Sequence, residues 1–447
     1  MDRSAENHML YSFASLSEVQ QKGATVIVKG EDCYVWDQEG KCYIDGFAGL
    51  QVVNIGHGRK EVVDAVYQQM QELQYWHSFF GFTSKPTVQL VEKLAELLPG
   101  NLNVSHFVNS GSEGNDSAFK IVRAYFKSIG QGGRYKIIYR DKAYHGMNMG
   151  ATSANGFANN RAPYEPLVPG FIRIPHCHCY RCPMDKEYSS CNIECAYALE
   201  EAIIGEGSDT VAAFIADPVQ GSIGGYVPAV KEYFTIVREI CDKYGVLFIC
   251  DEVITGFGRT GKMFGIEHYQ GVEPDLMVMA KGLSSGYIPM GAVVVSDQIA
   301  SVLAKGMFAH GYTYGGHPVA AACALSNIGI IERENLANKA AETGAYIAQA
   351  LESFLKYPWA GEIRAKGMMF GIELVQDKVN KKPFPVEFAK SILDLARDKG
   401  LLLRMNTGGN SLLLCPPLTM SKDIADNMVA ILEEVIVQTA ESYHYKA

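Results

Sequence analysis

Two apolar segments within residues 246–281 constrain the fold more than any other part of this sequence. The first, VLFICDEV, ends near Asp251 and Glu252, and the second, DLMVMAKG, ends at Lys281. Short apolar runs bounded by turn residues are typical of strands buried on both faces of a sheet. In open α/β sheets the ligand crevice lies outside the carboxyl ends of the strands. We therefore expect Asp251 and Lys281 to meet at one site.

An acid and a lysine at neighbouring strand ends are the two protein groups that a pyridoxal phosphate enzyme needs. A lysine amine can hold the cofactor aldehyde as a Schiff base. A carboxylate can keep the pyridine nitrogen protonated, so that the ring acts as an electron sink. Asp251 and Lys281 together therefore predict a site for pyridoxal 5'-phosphate.

Regular alternation of strands and helices from residue 210 onward predicts an α/β fold with a mostly parallel central sheet and helices on both faces. The flanking regions differ, because alternating apolar and polar residues near the N-terminus predict an antiparallel meander and the region after Pro318 mixes helices and strands. We expect an N-terminal segment of a small domain at 1–60, a large cofactor-binding domain at 61–330 and a C-terminal part of the small α+β domain at 331–447.

Two helices inside the large domain have expected bounds that the structure can test. One is expected over 61–73, with an apolar stripe formed by Val62, Val63, Val66 and Met70. The other is expected over 229–244, where apolar residues again recur at helical spacing.

Composition excludes several classes of protein. The chain has 447 residues, of which 48% are hydrophobic and 20% charged, and its net charge is −9. An acidic balance without a basic cluster disfavours nucleic acid and anionic membrane as partners. The sequence lacks an apolar run of membrane-spanning length and an apolar signal core at its start. With eleven cysteines that we expect to be reduced, these features predict a cytoplasmic protein.

The segment NSGSEG at 109–114 precedes a predicted helix, and Gly111 and Ser112 lie at its start. Small residues there leave backbone N–H groups directed at one point, where the helix dipole favours an anion such as phosphate. An ordinary, well-capped loop is the alternative. Tyr144 ends another strand, where its ring could stack on a planar ligand or simply pack half-buried.

The glycine-rich turn at 256–261 spells G-x-G-x-x-G, which alone is weak evidence for a dinucleotide site. Such a site needs a long helix at the turn, whereas the following segment is interrupted by glycine and proline. Two carboxylates just before the glycines would also repel a pyrophosphate. We expect Arg259 to brace this turn and not to contact substrate.

A cysteine-rich segment at 176–195 has three interpretations: a structural metal site, reduced loop thiols or a redox-labile disulfide. Its candidate ligands include two histidines and five cysteines: His176, Cys177, His178, Cys179, Cys182, Cys191 and Cys195. Only one C-x2-C step occurs, whereas structural zinc sites usually have paired steps. Reduced thiols are therefore favoured, and we expect no metal in the site of the chemistry.

Five motifs in order carry a family resemblance: NSGSEGND, YHG, CDEVITGFGRTG, the AKG that contains Lys281, and TYGGHP. Together they resemble the class III, or omega, aminotransferases among the fold-type I pyridoxal phosphate enzymes. The resemblance extends over nearly the whole chain, and it implies the fold and cofactor that the residues already indicate.

The resemblance also implies residue roles. Lys281 resembles the Schiff-base lysine and proton shuttle, and Asp251 the partner of the pyridine nitrogen. The remaining cofactor contacts that it implies are the two ring faces and the phosphate: Val253, Tyr144, Gly111, Ser112 and, for the phosphate of a neighbouring subunit, Thr313. A shared site of this kind implies a homodimer, alone or within a tetramer.

The sequence departs from the family at three positions. Tryptophan often follows Gly-Leu in omega-transaminases, but here the residue is Gln51, which favours a polar amine donor. Asp217 replaces a glutamate that many members carry, which shortens an arm of the network around the cofactor. Arg404 resembles the arginine that binds a substrate carboxylate, but it lies in a longer loop, so a surface arginine remains the alternative.

These features predict a ping-pong transaminase. Its donor would be an omega-amino acid, an amine or an aminosulfonate, such as beta-alanine or taurine. Its acceptor would be pyruvate or, second, 2-oxoglutarate. The alternatives are an amino-mutase, racemase or decarboxylase with the same cofactor, and a cysteine-rich metal-binding or scaffolding protein on an inactive aminotransferase fold.

Overall fold

The computed structural model describes residues 8–221 and 223–445. Residues 1–7 of the predicted N-terminal segment lie outside this part of the chain. Within the described residues, every helix is too short or too polar to cross a membrane.

The α-helices of the described residues are labelled in chain order: α1 Leu16–Lys22, α2 Ala48–Gln51, α3 Lys60–Glu72, α4 Lys85–Leu97, α5 Gly111–Ser128, α6 Met149–Ser153, α7 Ala158–Arg161, α8 Glu194–Glu206, α9 Tyr233–Tyr244, α10 Asp297–Leu303, α11 Pro318–Arg333, α12 Leu336–Glu352, α13 Val386–Asp398 and α14 Lys422–Ser442. The 3-10 turns are Ala162–Tyr164, Gly265–His268, Lys281–Leu283 and Ser353–Lys356.

The strands, also in chain order, are β1 Ile27–Glu31, β2 Tyr34–Asp37, β3 Cys42–Asp45, β4 Leu102–Val108, β5 Lys136–Arg140, β6 Phe171–Ile174, β7 Val211–Ala216, β8 Val219–Gln220, β9 Val227–Pro228, β10 Leu247–Asp251, β11 Leu276–Met279, β12 Gly291–Ser296, β13 Ala360–Lys366, β14 Met369–Asp377, β15 Lys382–Pro383, β16 Leu401–Leu402, β17 Arg404–Met405 and β18 Ser411–Leu414.

A seven-stranded sheet forms the centre of the large domain, in the order β4-β12-β11-β10-β7-β5-β6. In this sheet β12 runs opposite to the other six strands, which are parallel to one another. The α/β fold with a mostly parallel central sheet is therefore confirmed. Asp251 ends β10, and Lys281 follows the neighbouring parallel strand β11, so the two residues lie at the same edge of the sheet.

Both faces of the central sheet are covered, as the apolar composition of its strands predicts. Alternate residues of β10 belong to different cores: Phe248 packs with Phe234 of α9, whereas Ile249 packs in the core that contains the apolar face of α5. Because side chains alternate along a strand, Asp251 continues the face of Ile249. The carboxylate is thereby directed toward α5, whose first turn begins at Gly111.

The small domain joins the two ends of the chain. Strands β1, β2 and β3 form the predicted antiparallel meander, and β16 extends it in parallel, with Leu401 opposite Ile44. A second sheet, in the order β13-β14-β18-β17, contains Arg404 on its edge strand. The domain limits at residues 60 and 330 stay predictions.

One expectation about helices needs correction. The helix expected from residue 229 begins at Tyr233, because Val227 and Pro228 pair with β8 as a short hairpin. The helix expected over 61–73 forms, and Val62 of its apolar stripe is buried, whereas Val63 and Met70 are 51% and 53% exposed in the single chain. Its apolar stripe is therefore only partly covered within one subunit.

Candidate active site

A cavity of about 420 Å³ opens at the carboxyl ends of β10 and β11. It brings together the predicted site residues with one exception: Gln51, Gly111, Ser112, Tyr144, Asp251, Val253, Lys281 and Arg404 all line it. The exception is Thr313, which is exposed and lies outside this lining. Its predicted role toward a neighbouring subunit is not one that a single chain can display.

Asp251 is held by two residues that were not identified from the sequence. Its Oδ2 accepts a hydrogen bond from Nδ2 of Asn115 at 2.9 Å and lies 2.7 Å from Nδ1 of His145. Its Oδ1 accepts the N–H of Val253 at 3.0 Å. Asn115 lies in the NSGSEGND motif and His145 in YHG, so both belong to motifs that contain predicted site residues.

Lys281 lies directly beyond β11, in a turn where its φ is +38°. Its amine is largely withdrawn from water, and this burial lowers the lysine pKa to about 8, while the charge of Asp251 acts in the opposite direction. Nζ donates a hydrogen bond to Oε1 of Gln51 at 3.2 Å. The structure thus presents a lysine that is neutral much more often than one on the surface at pH 7 to 8.

The N-terminus of α5 forms the opposite wall of the cavity. A Cβ on Gly111 would lie 2.9 Å from both methyl carbons of Val253, so only glycine fits there without movement. Ser110 caps the helix by accepting the N–H of Glu113 at 3.2 Å. The N–H groups of the first helical turn have no partner inside a helix, so those of Gly111 and Ser112 can bind an anion.

Glu113 introduces a negative charge beside this helix start, but its carboxylate is turned away. Oε2 accepts hydrogen bonds from the backbone N–H and from Nδ2 of Asn109, at 2.7 and 2.9 Å. The residues present therefore fit pyridoxal phosphate: an amine for the aldehyde, a carboxylate for the ring nitrogen and a helix N-terminus for the phosphate. Tyr144 and Val253 add an aromatic and an aliphatic side chain to the same cavity.

Gln51 occupies a position that the sequence did not predict. Its side chain is buried, its φ is +61°, and Nε2 donates a hydrogen bond to the hydroxyl of Tyr226. Because Oε1 also accepts from Lys281, the amide contacts the reactive lysine as well as lining the cavity. No motif had identified Tyr226, and its sequence context offers no signal for this contact.

Asp217 and Arg404 represent the other two departures from the family pattern. Asp217 lines the cavity, but Arg140 binds its Oδ1 at 2.8 Å and the N–H of Gly221 binds Oδ2 at 2.6 Å. Arg404 is exposed at the cavity rim, and its guanidinium lies 5.6 Å from the centre of the Phe47 ring.

Arg259 braces the glycine turn as expected. Its side chain is fully buried, and it donates hydrogen bonds to Oδ1 of Asn54 at 2.7 Å and to the carbonyl of Pro416. The turn is followed by a short 3-10 turn, Gly265–His268, and not by the long helix of a dinucleotide site.

The cysteine-rich segment lies around a separate cavity of about 20 Å³, which leaves room for about one water molecule. All eleven cysteines of the chain are free, and burial raises the pKa of Cys179 to about 11 and that of Cys195 to about 12. Across residues 8–221 and 223–445, no three His, Cys, Asp or Glu side chains are grouped closely enough to hold a metal ion. The candidate ligand set 177, 179, 182, 191 and 195 thus lacks support in the structure.

Comparison with known proteins identifies the family. The profile of the class-III aminotransferases matches residues 16–436. Putrescine–pyruvate aminotransferase of Pseudomonas aeruginosa is 39% identical over 98% of this chain and 95% of its own length. Among solved structures, an (S)-enantioselective omega-transaminase from Thermomicrobium roseum superimposes with a TM-score of 0.94 at 42% identity, covering 98% of each chain.

The cofactor follows from the same comparison. An amine transaminase from an uncultivated Pseudomonas species, solved in its PLP-bound form, matches with a TM-score of 0.93 at 36% identity, covering 96% of this chain and 98% of its own. The fold, the amine and carboxylate in one cavity and these matches agree. The chain belongs to the class III aminotransferases, pyridoxal phosphate-dependent enzymes of fold type I.

Proposed function

We propose that this enzyme transfers an amino group from an omega-amino acid, an amine or an aminosulfonate to pyruvate by a ping-pong mechanism. The observation that carries the proposal is the convergence of Lys281, Asp251 and the start of α5 on one cavity whose rim bears Arg404. When bound, pyridoxal phosphate supplies an aldehyde for the amino group and a ring that stores the electron pair released when the donor C–H bond breaks.

Lys281 is proposed as the residue that moves the proton. Burial lowers its pKa to about 8, so its amine can take a proton from the donor carbon and return it near neutral pH. Asp251 faces the ring nitrogen in this proposal, and its contacts with Asn115 and His145 keep the carboxylate fixed. Tyr144 and Val253 enclose the ring, while Gly111 and Ser112 bind the phosphate.

Arg404 is proposed to bind the carboxylate or sulfonate of the substrates. A guanidinium matches the planar, bidentate geometry of a carboxylate, and this one is exposed at the cavity rim. The remaining wall is partly apolar and includes Ile223, Ile288 and Met290. A linear donor with its amine at one end and its acid at the other would suit this arrangement.

A homodimer with shared sites is part of the proposal. Thr313 is exposed in the single chain, and large apolar side chains are exposed as well: Phe80 and Met307 are each 92% exposed and Tyr314 is 62% exposed. Burial of these side chains against a second copy of the chain would remove their apolar surface from water. Light scattering of the purified enzyme should give twice the chain mass or a multiple of it. The cytoplasmic location stays a prediction.

A scan of the first half-reaction tests the function. The purified enzyme is mixed with single amines in the absence of any keto acid, and the visible absorption of the bound cofactor is followed. We expect a small set of omega-amino acids or amines to bleach it and pyruvate to restore it. Amine consumption without keto acid consumption would instead favour the mutase, racemase or decarboxylase alternatives.

An arginine variant tests the substrate assignment. Arg404→Leu should raise the KM for pyruvate and for omega-amino acids by about ten- to a hundredfold, because a charged hydrogen bond is lost, and leave the KM for a simple monoamine almost unchanged. Arg397→Leu is the matched control, because Arg397 pairs with Asp394 on the exposed side of α13. Equal KM changes for all donors would contradict a carboxylate-binding role.

A further inference from the structure

We propose that Gln51 and Tyr226 position the amine of Lys281 in the half of the catalytic cycle in which this lysine is free. The inference rests on the proposed function, and it gives Gln51 a role other than the substrate contact expected from the sequence. Gln51 is thus a positioning residue, which acts on the reaction through Lys281.

The hydrogen bonds fix the orientation of the Gln51 amide. Its Nε2 can only donate, and it donates to the hydroxyl of Tyr226. Its Oε1 can only accept, and Nζ of Lys281 is the donor at 3.2 Å. With Nε2 bound to the hydroxyl of Tyr226, the amide presents its acceptor, Oε1, to the lysine. A flipped amide would place its N–H donors against Nζ, whose charged form has no lone pair to accept them.

Tyr226 is itself rigidly held. Its ring is 1% exposed and packs in a small core with Phe47, Leu413 and Cys415. The preceding carbonyl, that of Gly225, accepts a hydrogen bond from Nε of the buried Arg364 at 2.9 Å. The anchor of the Gln51 amide is therefore part of the interface between the cavity and the second sheet of the small domain.

All three residues have left-handed backbone conformations. The φ angles are +61° for Gln51, +56° for Tyr226 and +38° for Lys281, in a region where residues other than glycine are uncommon. Such conformations persist only where the surroundings enforce them, and they cluster at functional sites. Three of them along one chain of hydrogen bonds indicate that the geometry around the lysine amine is enforced.

The chemistry of the Gln51 amide is compatible with positioning and not with acid–base catalysis. An amide neither takes nor gives a proton near neutral pH, so Gln51 cannot replace Lys281 as the base. By accepting an N–H it can restrict the rotation of the long lysine side chain and favour the charged amine. The titratable and charged groups that also act on the lysine are Asp251, Cys415, Arg404 and Arg259.

The first test measures the titration of Lys281 without turnover. Enzyme saturated with pyridoxamine phosphate, in which the lysine is free, is labelled with trace acetic anhydride across a pH series. Mass spectrometry gives the extent of labelling at Lys281, with the exposed Lys305 as internal reference. We expect the midpoint of Q51L to lie about one pH unit below that of the wild type and the midpoint of Q51E to lie above it.

Y226F separates the amide orientation from the amide itself. It keeps the ring in its core but removes the acceptor for Nε2, so its midpoint should fall between those of Q51L and the wild type. Equal midpoints for wild type and Q51L, with both proteins folded by circular dichroism, would overturn the proposal. If Q51L does not fold, the labelling midpoints of Q51E and Y226F test the proposal instead.

Steady-state kinetics provide the second readout. A positioning role predicts that Q51L lowers kcat by roughly ten- to a hundredfold with little change in the amine KM. A change confined to the amine KM, with the Lys281 midpoint unmoved, would assign Gln51 to substrate contact and overturn positioning. The labelling result does not depend on transamination, so a failed amine scan and a failed positioning role remain distinguishable.

Discussion

Nδ1 of His145 lies 2.7 Å from Oδ2 of Asp251, although 106 positions separate the two residues. Both side chains are buried, and the backbone N–H of His145 is held by Oδ1 of Asn155 at 2.9 Å. With Asn115 on the same carboxylate oxygen, the acid has a fixed direction before any ligand arrives. A charge held in place in this way stabilises an opposite charge most strongly where water is excluded.

Asp251→Asn should therefore reduce the rate of the first half-reaction by about 10²- to 10³-fold, since a neutral amide cannot stabilise a protonated ring nitrogen. Stopped-flow absorption with a saturating amine measures this rate. His145→Gln keeps a donor near the carboxylate, so its loss should be smaller. A D251N enzyme with the wild-type rate would contradict the assignment of Asp251.

Gly111→Ala should weaken cofactor binding by at least about tenfold, because a Cβ there would meet both methyl groups of Val253 at 2.9 Å and displace the start of α5. Equilibrium dialysis or fluorescence titration with pyridoxal phosphate measures the affinity.

Gly329→Ala is the matched control for this change. Gly329 lies in α11, and an added Cβ would meet no atom within 4 Å. Alanine at a helical position of this kind should leave the affinity unchanged and raise stability by about 0.5–1 kcal/mol. Equal affinities for G111A and wild type would show that the phosphate lies elsewhere.

The meeting of Asp251 and Lys281 could be predicted because it depends on one general rule. Parallel neighbouring strands end at the same edge of a sheet, so apolar runs and their terminal residues suffice to place the acid and the lysine. The start of α5 was predictable for a similar reason, because small residues before an apolar helix give the same backbone geometry in any context.

The contacts of Gln51 and Tyr226 could not be predicted from such rules. They depend on a left-handed turn near the N-terminus and on a loop more than a hundred residues later, whose packing is set by Arg364. The late start of α9 has a similar origin, since the pairing of β8 with β9 overrides the helical periodicity from residue 229. Helical periodicity reflects only local preference, whereas contacts between distant segments determine the structure around Gln51 and at the start of α9.

Arg364→Leu should destabilise the protein by about 3 kcal/mol. The buried guanidinium binds Glu362 at 2.6 Å, Glu373 at 3.0 Å and Oγ of Ser411 at 2.8 Å. Burial alone would raise the pKa of Glu373, but Arg364, Ser411 and Arg181 outweigh it and lower the pKa. Without Arg364, Glu373 keeps its charge with fewer partners. Urea unfolding at pH 7 measures the loss.

The pH dependence identifies the cause of this loss. A carboxyl with a lowered folded-state pKa stabilises the protein fully above its ordinary pKa of 4.5, and the effect is lost as pH falls from there through the lower folded-state pKa. The difference between wild type and R364L should therefore shrink in acid. R364L/E373Q should recover part of the stability at pH 7. A difference that does not vary with pH would indicate lost packing and not lost charge.

Lys281→Met should stabilise the cofactor-free chain at pH 7 by roughly 1–3 kcal/mol, although it abolishes activity. Burial lowers the pKa of Lys281 from 10.5 to about 8, so folding at neutral pH places an ammonium in surroundings that favour the neutral amine. Methionine has a similar length and no charge. Denaturant unfolding of both proteins after removal of the cofactor measures the difference.

The sign of the pH dependence distinguishes this effect from simple packing. Between the folded-state pKa of about 8 and the ordinary value of 10.5, the unfolded chain binds more protons at Lys281 than the folded chain does. The stability of the wild type must therefore rise relative to that of K281M as pH increases through this interval, and the two should converge near its upper end. Below pH 8 the full difference should persist. A constant difference from pH 7 to pH 10 would mean that the lysine amine is well solvated in the folded chain, and its role as a base near neutral pH would then require another source of activation.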